Sequence, residues 1–250
     1  MAFRKKSDAG AGAYAGSAIK IEIPEIKKER MVVWLSGDTR LVTNKFSNKA
    51  LYQMLCAQKG IKLARENREP AKDFGRSLHH LAAGKNGQPR FGFPVTGIKE
   101  AMATAGSRFF KLDKVAVYGL VYLVGEQSIP DQVNDPDFPE HDVRFSPIDC
   151  AEVLAEPVMR TDMVRNSGIG RTADLRFRGS FEVTDDFSWK VKLLIVYQPT
   201  RISPVTIVNL LEHAGQMVGI GEYRVEKGGE WGRFHVEPSE PVAAKKSRVA

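Results

Sequence analysis

Cysteine is almost missing from this chain: Cys56 and Cys150 are the only two in 250 residues, too few for a disulfide scaffold or a cysteine-rich zinc site. Long apolar runs are missing too. The longest, near 115–125 and 193–197, fall far short of the roughly 20 residues a helix needs to cross a bilayer, and the start of the chain has no signal-peptide core. These absences predict a soluble protein of the reducing cytoplasm. Chemical motifs are equally scarce. There is no phosphate loop, zinc-ligand spacing or serine elbow, and Gly219-x-Gly221 neither meets a third glycine at dinucleotide spacing nor opens a helix, which argues against a nicotinamide site. The adjacent His79 and His80 point in different directions on any regular element and form no pair. His213 reads as partly buried or capping, His141 and His235 have no clustered partners, and Asp38 after Gly37 reads as a turn-former. No catalytic residue, metal or cofactor is expected.

What is present is an ordinary soluble composition, 42% hydrophobic and 27% charged, with a net charge of +7 and a pI near 9.4. That balance favours a polyanionic partner. The charge is uneven. Residues 126–156 hold nine acidic side chains against Arg144 alone, a net −8, which leaves +15 on the rest of a chain that totals +7. The acidic stretch would be repelled by a phosphate backbone and would lie away from it, either as a solvated loop or docked on the basic surface of another copy. Residues 1–18 and 238–250 are basic and biased in composition, as flexible tails are. Residues 19–237 read as one elaborated domain with an acidic insertion at 126–156 and a basic arm at 157–180.

Within that domain, apolar spacing predicts a strand at 31–35 and a helix around 46–60 that Ser47 helps to start. It also predicts a short helix around 73–81, a helix over 95–110 with Thr96 as cap, and a strand over 115–124. Ser203-Pro204 starts a further helix, with Ile207, Leu210, Leu211 and Ala214 inward and Gly215 as its stop. After it, Val218 to Val225 and Trp231 to Val236 read as two strands joined by a hairpin turn at Lys227-Gly228-Gly229-Glu230. The elements assemble as an α+β fold of the ferredoxin-like (RRM-like) kind, an antiparallel sheet with helices on one face.

Two segments carry the candidate binding chemistry. The first is the glycine-rich turn, with Gly219, Gly221, Gly228, Gly229 and Gly232 interleaved with Tyr223, Arg224, Lys227, Trp231 and Arg233. The second is the arm, with Arg160, Arg165, Arg171, Arg176 and Arg178 around Gly168 and Gly170; Leu175, Phe177 and Phe181 alternate with its last arginines, so a strand there puts the arginines on one face. Lys99 and Arg108, on the 95–110 helix, complete the set. Arginine suits a phosphate and a base at once, because its planar fork donates two hydrogen bonds and its plane stacks. Tyr197, Tyr223, Trp231 and Phe234 lie on or beside the closing strands; about half of them belong to the core and the others are free to stack bases.

Three stretches resemble a known family. The strand at 190–197, the helix at 203–215 and GIGEYRVEKGGEWGRFHV after them are similar to the closing half-domain of the RAMP superfamily, the ferredoxin-like RNA-binding proteins of CRISPR effector complexes. RFGFPVTGIKEAMATAG at 90–106 resembles the loop and helix of their backbone subunits, and WLSGDTRLV at 34–42 their first strand and turn. The stretch between Gly221 and Gly232 is longer than the family's compact glycine loop, and Gly97-Ile98-Lys99-Glu100 lacks its serine pair and following arginine. The resemblance therefore implies a divergent relative, encoded by a phage or mobile element. It implies single-stranded nucleic acid, RNA first, as the partner, with several copies along one strand or in a multisubunit ribonucleoprotein. Two other functions stay open: a phage structural or assembly protein working through protein contacts, and an RNA-processing endoribonuclease using His79, His80 or Asp38.

Overall fold

The computed structural model describes residues 26–62, 69–129, 146–165 and 173–238. The tail at 1–18, all but the first residue of the tail at 238–250, the middle of the acidic stretch, and Gly168, Gly170 and Arg171 lie outside them. The elements run β1 (Glu29–Gly37), β2 (Leu41–Thr43), α1 (Asn48–Gln58), α2 (Pro70–Arg76), β3 (His79–Leu81), β4 (Arg90–Pro94), α3 (Val95–Phe109) and α4 (Lys114–Leu120). They continue as β5 (Val121–Val124), β6 (Glu126–Gln127), β7 (Asp149–Leu154), β8 (Val158–Arg165), β9 (Ala173–Phe181), β10 (Lys190–Tyr197), α5 (Pro204–His213) and β11 (Phe234–Val236).

The fold is α+β. One antiparallel sheet has the order β11-β1-β10-β7-β4-β3, with β5 also on β10 and β6 also on β7. Strand β10 is shared lengthwise: Lys190 and Val191 pair with β7, and Leu194 to Tyr197 pair with β5. Period-2 alternation sends Val33 and Leu35 of β1, Val191, Leu193 and Ile195 of β10, and Val121 and Leu123 of β5 into the core. Helices α3 and α5 meet them with Ile98, Ala101, Met102 and Ala105, and with Ile207, Leu210 and Leu211. A second sheet, β2-β9-β8, repeats the order β1-β10-β7. The reason is continuity of chain: β1 leads into β2, β9 into β10, and β7 into β8, so three neighbouring strands bend together. Trp189 sits fully buried at the bend, its Nε1 donating to Thr39 O at 2.8 Å and its carbonyl accepting from Gly37 N at 2.9 Å. A Cβ on Gly37 would stand 2.2 Å from the indole, so this corner requires glycine.

The caps follow the local chemistry. Ser203 Oγ accepts from Thr206 N at 3.1 Å with Pro204 in the first turn, and Ser47 Oγ accepts from Ala50 N at 3.3 Å. Other local expectations yield to tertiary contacts. Residues 114–120 are helix where a strand is expected, because Val117 packs under α3 against Gly106 while Lys114 and Tyr118 both bond Glu100. Helix α3 starts at Val95 straight out of β4, with no side-chain cap from Thr96. The short helix begins at Pro70 and stops at Arg76, and His79 to Leu81 pair with β4 as a strand. Gly215 does not stop α5. The chain continues through a π-helical turn, Ala214–Val218, and a Cβ on Gly215 would meet Phe234 O at 1.9 Å; close approach to β11 is its role.

Candidate nucleic-acid interface

The segment expected as a hairpin is instead a folded loop. Ala214–Val218 is π-helical, Val225–Lys227 is a short 3₁₀ turn, and the only pairing between the two halves is the isolated Arg224–Trp231 bridge. Apolar residues spaced for a strand are spent here on packing, and backbone bonds to distant segments take the place of a ladder. Ile220 N donates to Gly232 O at 3.0 Å, Trp231 N to Tyr223 O at 3.2 Å, Glu222 N to Val42 O at 3.0 Å and Gly232 N to Arg40 O at 2.8 Å. Gly219, Gly221, Gly228 and Gly232 have φ of 73, 78, 79 and 67°, the region that glycine occupies without cost. A Cβ on Gly229 or Gly232 would lie 1.7 Å from a carbonyl oxygen, of Tyr223 and Ile220 respectively. The loop is tied down, not pliant.

Tertiary structure sorts the four rings of the closing region. Tyr197 and Phe234 are core, while Tyr223 is exposed and Trp231 half-buried. Trp231 stands between two guanidinium groups, Arg160 of β8 at 4.4 Å and Arg40 at 5.6 Å from the ring centre, with Tyr223 edge-on at 4.7 Å. The bend between the sheets makes this cluster by bringing the arm over the glycine loop. Nothing local in the turn after β1 marks Arg40 in the sequence.

Several of the other candidate cations have carboxylate partners. Arg224 donates to Glu226 Oε2 at 3.0 Å, Arg108 to Glu226 Oε1 at 3.2 Å, and Arg233 to Glu230 at 2.8 Å and to Gln216 O at 2.6 Å. Arg160 is held by Asp162 at 2.9 Å and Arg40 lies 3.4 Å from Glu182. Lys99 stands over the Tyr118 ring at 5.9 Å, its pKa lowered by desolvation. Lys227 is exposed at the loop tip, Arg165 ends β8, and Arg176 is half-buried in β9.

The arm overturns one expectation. Its faces do alternate, but the charged one is buried at its centre: Arg160 and Arg176 are partly exposed, whereas Arg178 is only 3% exposed and sits 3.9 Å from Asp162, with Nε and Nη1 making no hydrogen bond among the described residues. Arg178 is thus part of the interior and not of a surface cradle. The apolar face turns outward at one end, with Met163 65% and Leu175 51% exposed, while Phe177 is half-buried and Phe181 is fully buried in the core. Helix α2 packs near β8 and β9, and Ser77 Oγ, just past its end, accepts from Gly179 N at 2.7 Å.

Beside the loop lies a cleft of about 240 Å³ whose ionisable lining is His79, Glu100, Glu222, Arg224 and Glu226. Three carboxylates against one arginine make it a poor seat for phosphate. Glu100 is held below the usual carboxylate range, first by the Tyr118 hydroxyl and then by Lys114. His80 Nε2 is 3.0 Å from Gly75 O, and His213 Nδ1 is 2.9 Å from Asn209 O. His235, expected to have no partner, does have one: its Nδ1 is 2.5 Å from Asp38 Oδ1, and Gln216 Nε2 donates to Asp38 Oδ2 at 2.8 Å. The β1–β11 register creates that pair, and no local pattern announces it. The flanks of the acidic stretch are sheet strands, where Glu126 and Glu152 grip Arg90 at 2.8 and 2.6 Å. Among the described residues no helix is long and apolar enough to cross a membrane.

No protein-family model matches this chain, and no curated protein does. Among solved structures, the crystal structure of Cmr6 from Pyrococcus furiosus is similar at a TM-score of 0.36 and 10% identity, over 85% of this chain and 100% of that one. A likeness at that level carries no argument about function, and the chemistry must be read from the residues themselves.

Proposed function

We propose that this chain binds single-stranded nucleic acid, RNA in preference to DNA, without chemistry of its own. The observation that carries this reading is the Trp231 cluster. An indole flanked by the Arg160 and Arg40 guanidinium groups, with Tyr223 beside it, offers planes on which bases stack and forks that meet phosphate. The loop's backbone bonds hold these groups in place before any ligand arrives, which lowers the ordering cost of binding. Carboxylates already hold most of the arginines, so stacking outweighs charge. We also infer a ferredoxin-like core, since β11-β1-β10-β5 with helices α3 and α5 follows the β-α-β-β-α-β order in chain and space. Membership of a RAMP-like assembly of several copies belongs to the same proposal.

The test is binding of a labelled 20-nucleotide oligouridylate, followed by anisotropy between 50 and 200 mM salt. Each phosphate contact on a single strand contributes about −0.7 to the slope of log K against log salt, and a slope of about −2 to −3 is expected, that of three or four contacts. Trp231→Ala and Arg160→Ala should each weaken binding about tenfold. Absence of binding at 50 mM salt sinks the reading.

The exposed apolar face of the β8–β9 arm favours a second reading, a protein that works by assembling with other proteins or with its own copies. Met163→Glu should then reduce the sedimentation coefficient of the protein at micromolar concentration. An unchanged coefficient removes self-assembly through this face.

A further inference from the structure

We infer that the sheet face turned away from α3 and α5 is a second platform for the same single strand, with Trp34 and Tyr122 as its stacking rings. The inference rests on the nucleic-acid reading above and extends it to a surface built by β1, β10 and β5. Alternation puts Val33, Leu35, Leu193 and Ile195 into the core, so their neighbours Val32, Trp34, Lys192 and Leu194 must lie on the other side. In a soluble protein an uncovered sheet face is normally polar. Here Tyr122 is 54% and Val32 45% exposed, and Trp34 is partly exposed with Lys192 Nζ over its ring at 5.6 Å.

The register gives the spacing. Trp34 lies opposite Lys192, and Tyr122 lies opposite Val196, with β10 between their strands. The rings are thus two strand spacings, about 9.6 Å, apart across the sheet and four residues, about 13 Å, apart along it, roughly 16 Å in all. An extended strand lying diagonally would stack one base on each ring and pass Lys192 and Leu194 on the way. Charge selects the occupant. Arg30, on this face of β1, and Lys192 have no carboxylate at ion-pair distance among the described residues, nor do the exposed Lys27 and Lys28 just before β1. That is the reverse of the Trp231 cluster, where every arginine is already matched. Cations with no carboxylate at ion-pair distance among the described residues, beside exposed rings, are what a phosphate backbone with unstacked bases requires, whereas a purely apolar partner would leave them unpaired.

The experiment uses the full chain with a 5-bromouridine-substituted 20-mer, reading anisotropy, the crosslinked peptides and the melting temperature together. Trp34→Ala with Tyr122→Ala should weaken binding at least tenfold, Trp34→Phe with Tyr122→Phe should stay within about threefold of wild type, and crosslinks should map to β1 and β5. Lys192→Glu, at an exposed position, should also weaken binding and flatten the salt slope. If wild type binds but all these variants bind equally well, or crosslinks fall only on the peptide containing Trp231, the platform is wrong while the nucleic-acid reading stands. If wild type does not bind at all, that reading fails first. If the variants change only the sedimentation coefficient, the face is covered by a second copy, and this too overturns the inference.

Discussion

At the scale of single residues, the position of each arginine decides its use. Arg178 and Asp162 are buried together, and Asp162 also holds Arg160 at 2.9 Å, so it is removal of Asp162 that leaves the buried Arg178 without its counter-charge. Asp162→Ala is expected to cost about 3 kcal/mol in urea unfolding, whereas Arg224→Ala, a partly exposed pair with Glu226, should cost within about 1 kcal/mol. The Arg90 cluster carries a pH signature. Hydrogen bonds from Arg90 hold Glu152 below the usual carboxylate range and push the guanidinium further up. A depressed folded-state value means that Glu152 stabilises the fold above the ordinary carboxylate range, and that this contribution is lost as pH falls through the depressed value. Melting temperatures from pH 7 to 3 should therefore fall less steeply for Glu152→Gln than for wild type. Burial pushes the Cys150 thiol up to about 12. It should resist iodoacetamide at pH 8 in the native protein and react once unfolded.

At the scale of elements, the glycine loop owes its shape to specific close approaches. Gly232→Ala has both a positive φ and a carbonyl in the way, and should cost about 3 kcal/mol and abolish binding at Trp231. Gly228→Ala has the same sign of φ but open space, and should cost about 1 kcal/mol. A urea midpoint equal for the two variants would contradict this account. The elements also show where local patterns hold and where they yield. Helix α5 was legible from Ser203-Pro204 and its apolar period because caps and amphipathic faces are local properties. Helix α4 and the π-helical turn after α5 were not, since valine-rich or glycine-interrupted segments take the conformation that their neighbours stabilise.

At the scale of the whole molecule, the bend that carries β1, β10 and β7 into β2, β9 and β8 places the arm over the glycine loop. Trp189 is the bolt at that corner. Trp189→Ala should cost about 3–5 kcal/mol, and because it loosens the approach of Arg160 to Trp231 it should weaken oligonucleotide binding as well. Unchanged affinity at a temperature where the variant is fully folded would show that the corner does not position the cluster. The charge asymmetry has a mixed outcome at this scale: the flanks of the acidic stretch are tied into the sheet through Arg90, a contact between segments that composition alone treats as opposing blocks.

Alternation, caps and net charge were written in the sequence, and they determined that this is an α+β protein with an antiparallel sheet, two amphipathic helices against it and an excess of positive charge. Tertiary structure alone decided which face of the arm meets solvent, which arginines find carboxylates, and that Arg40, Asp38–His235 and the Trp34–Tyr122 face exist as groups. The physical reason is range. A helix face or a cap is set by residues within a turn of one another, while an ion pair or a stack across β1 and β10 depends on the register between segments some 160 residues apart, and no short window of sequence contains both partners.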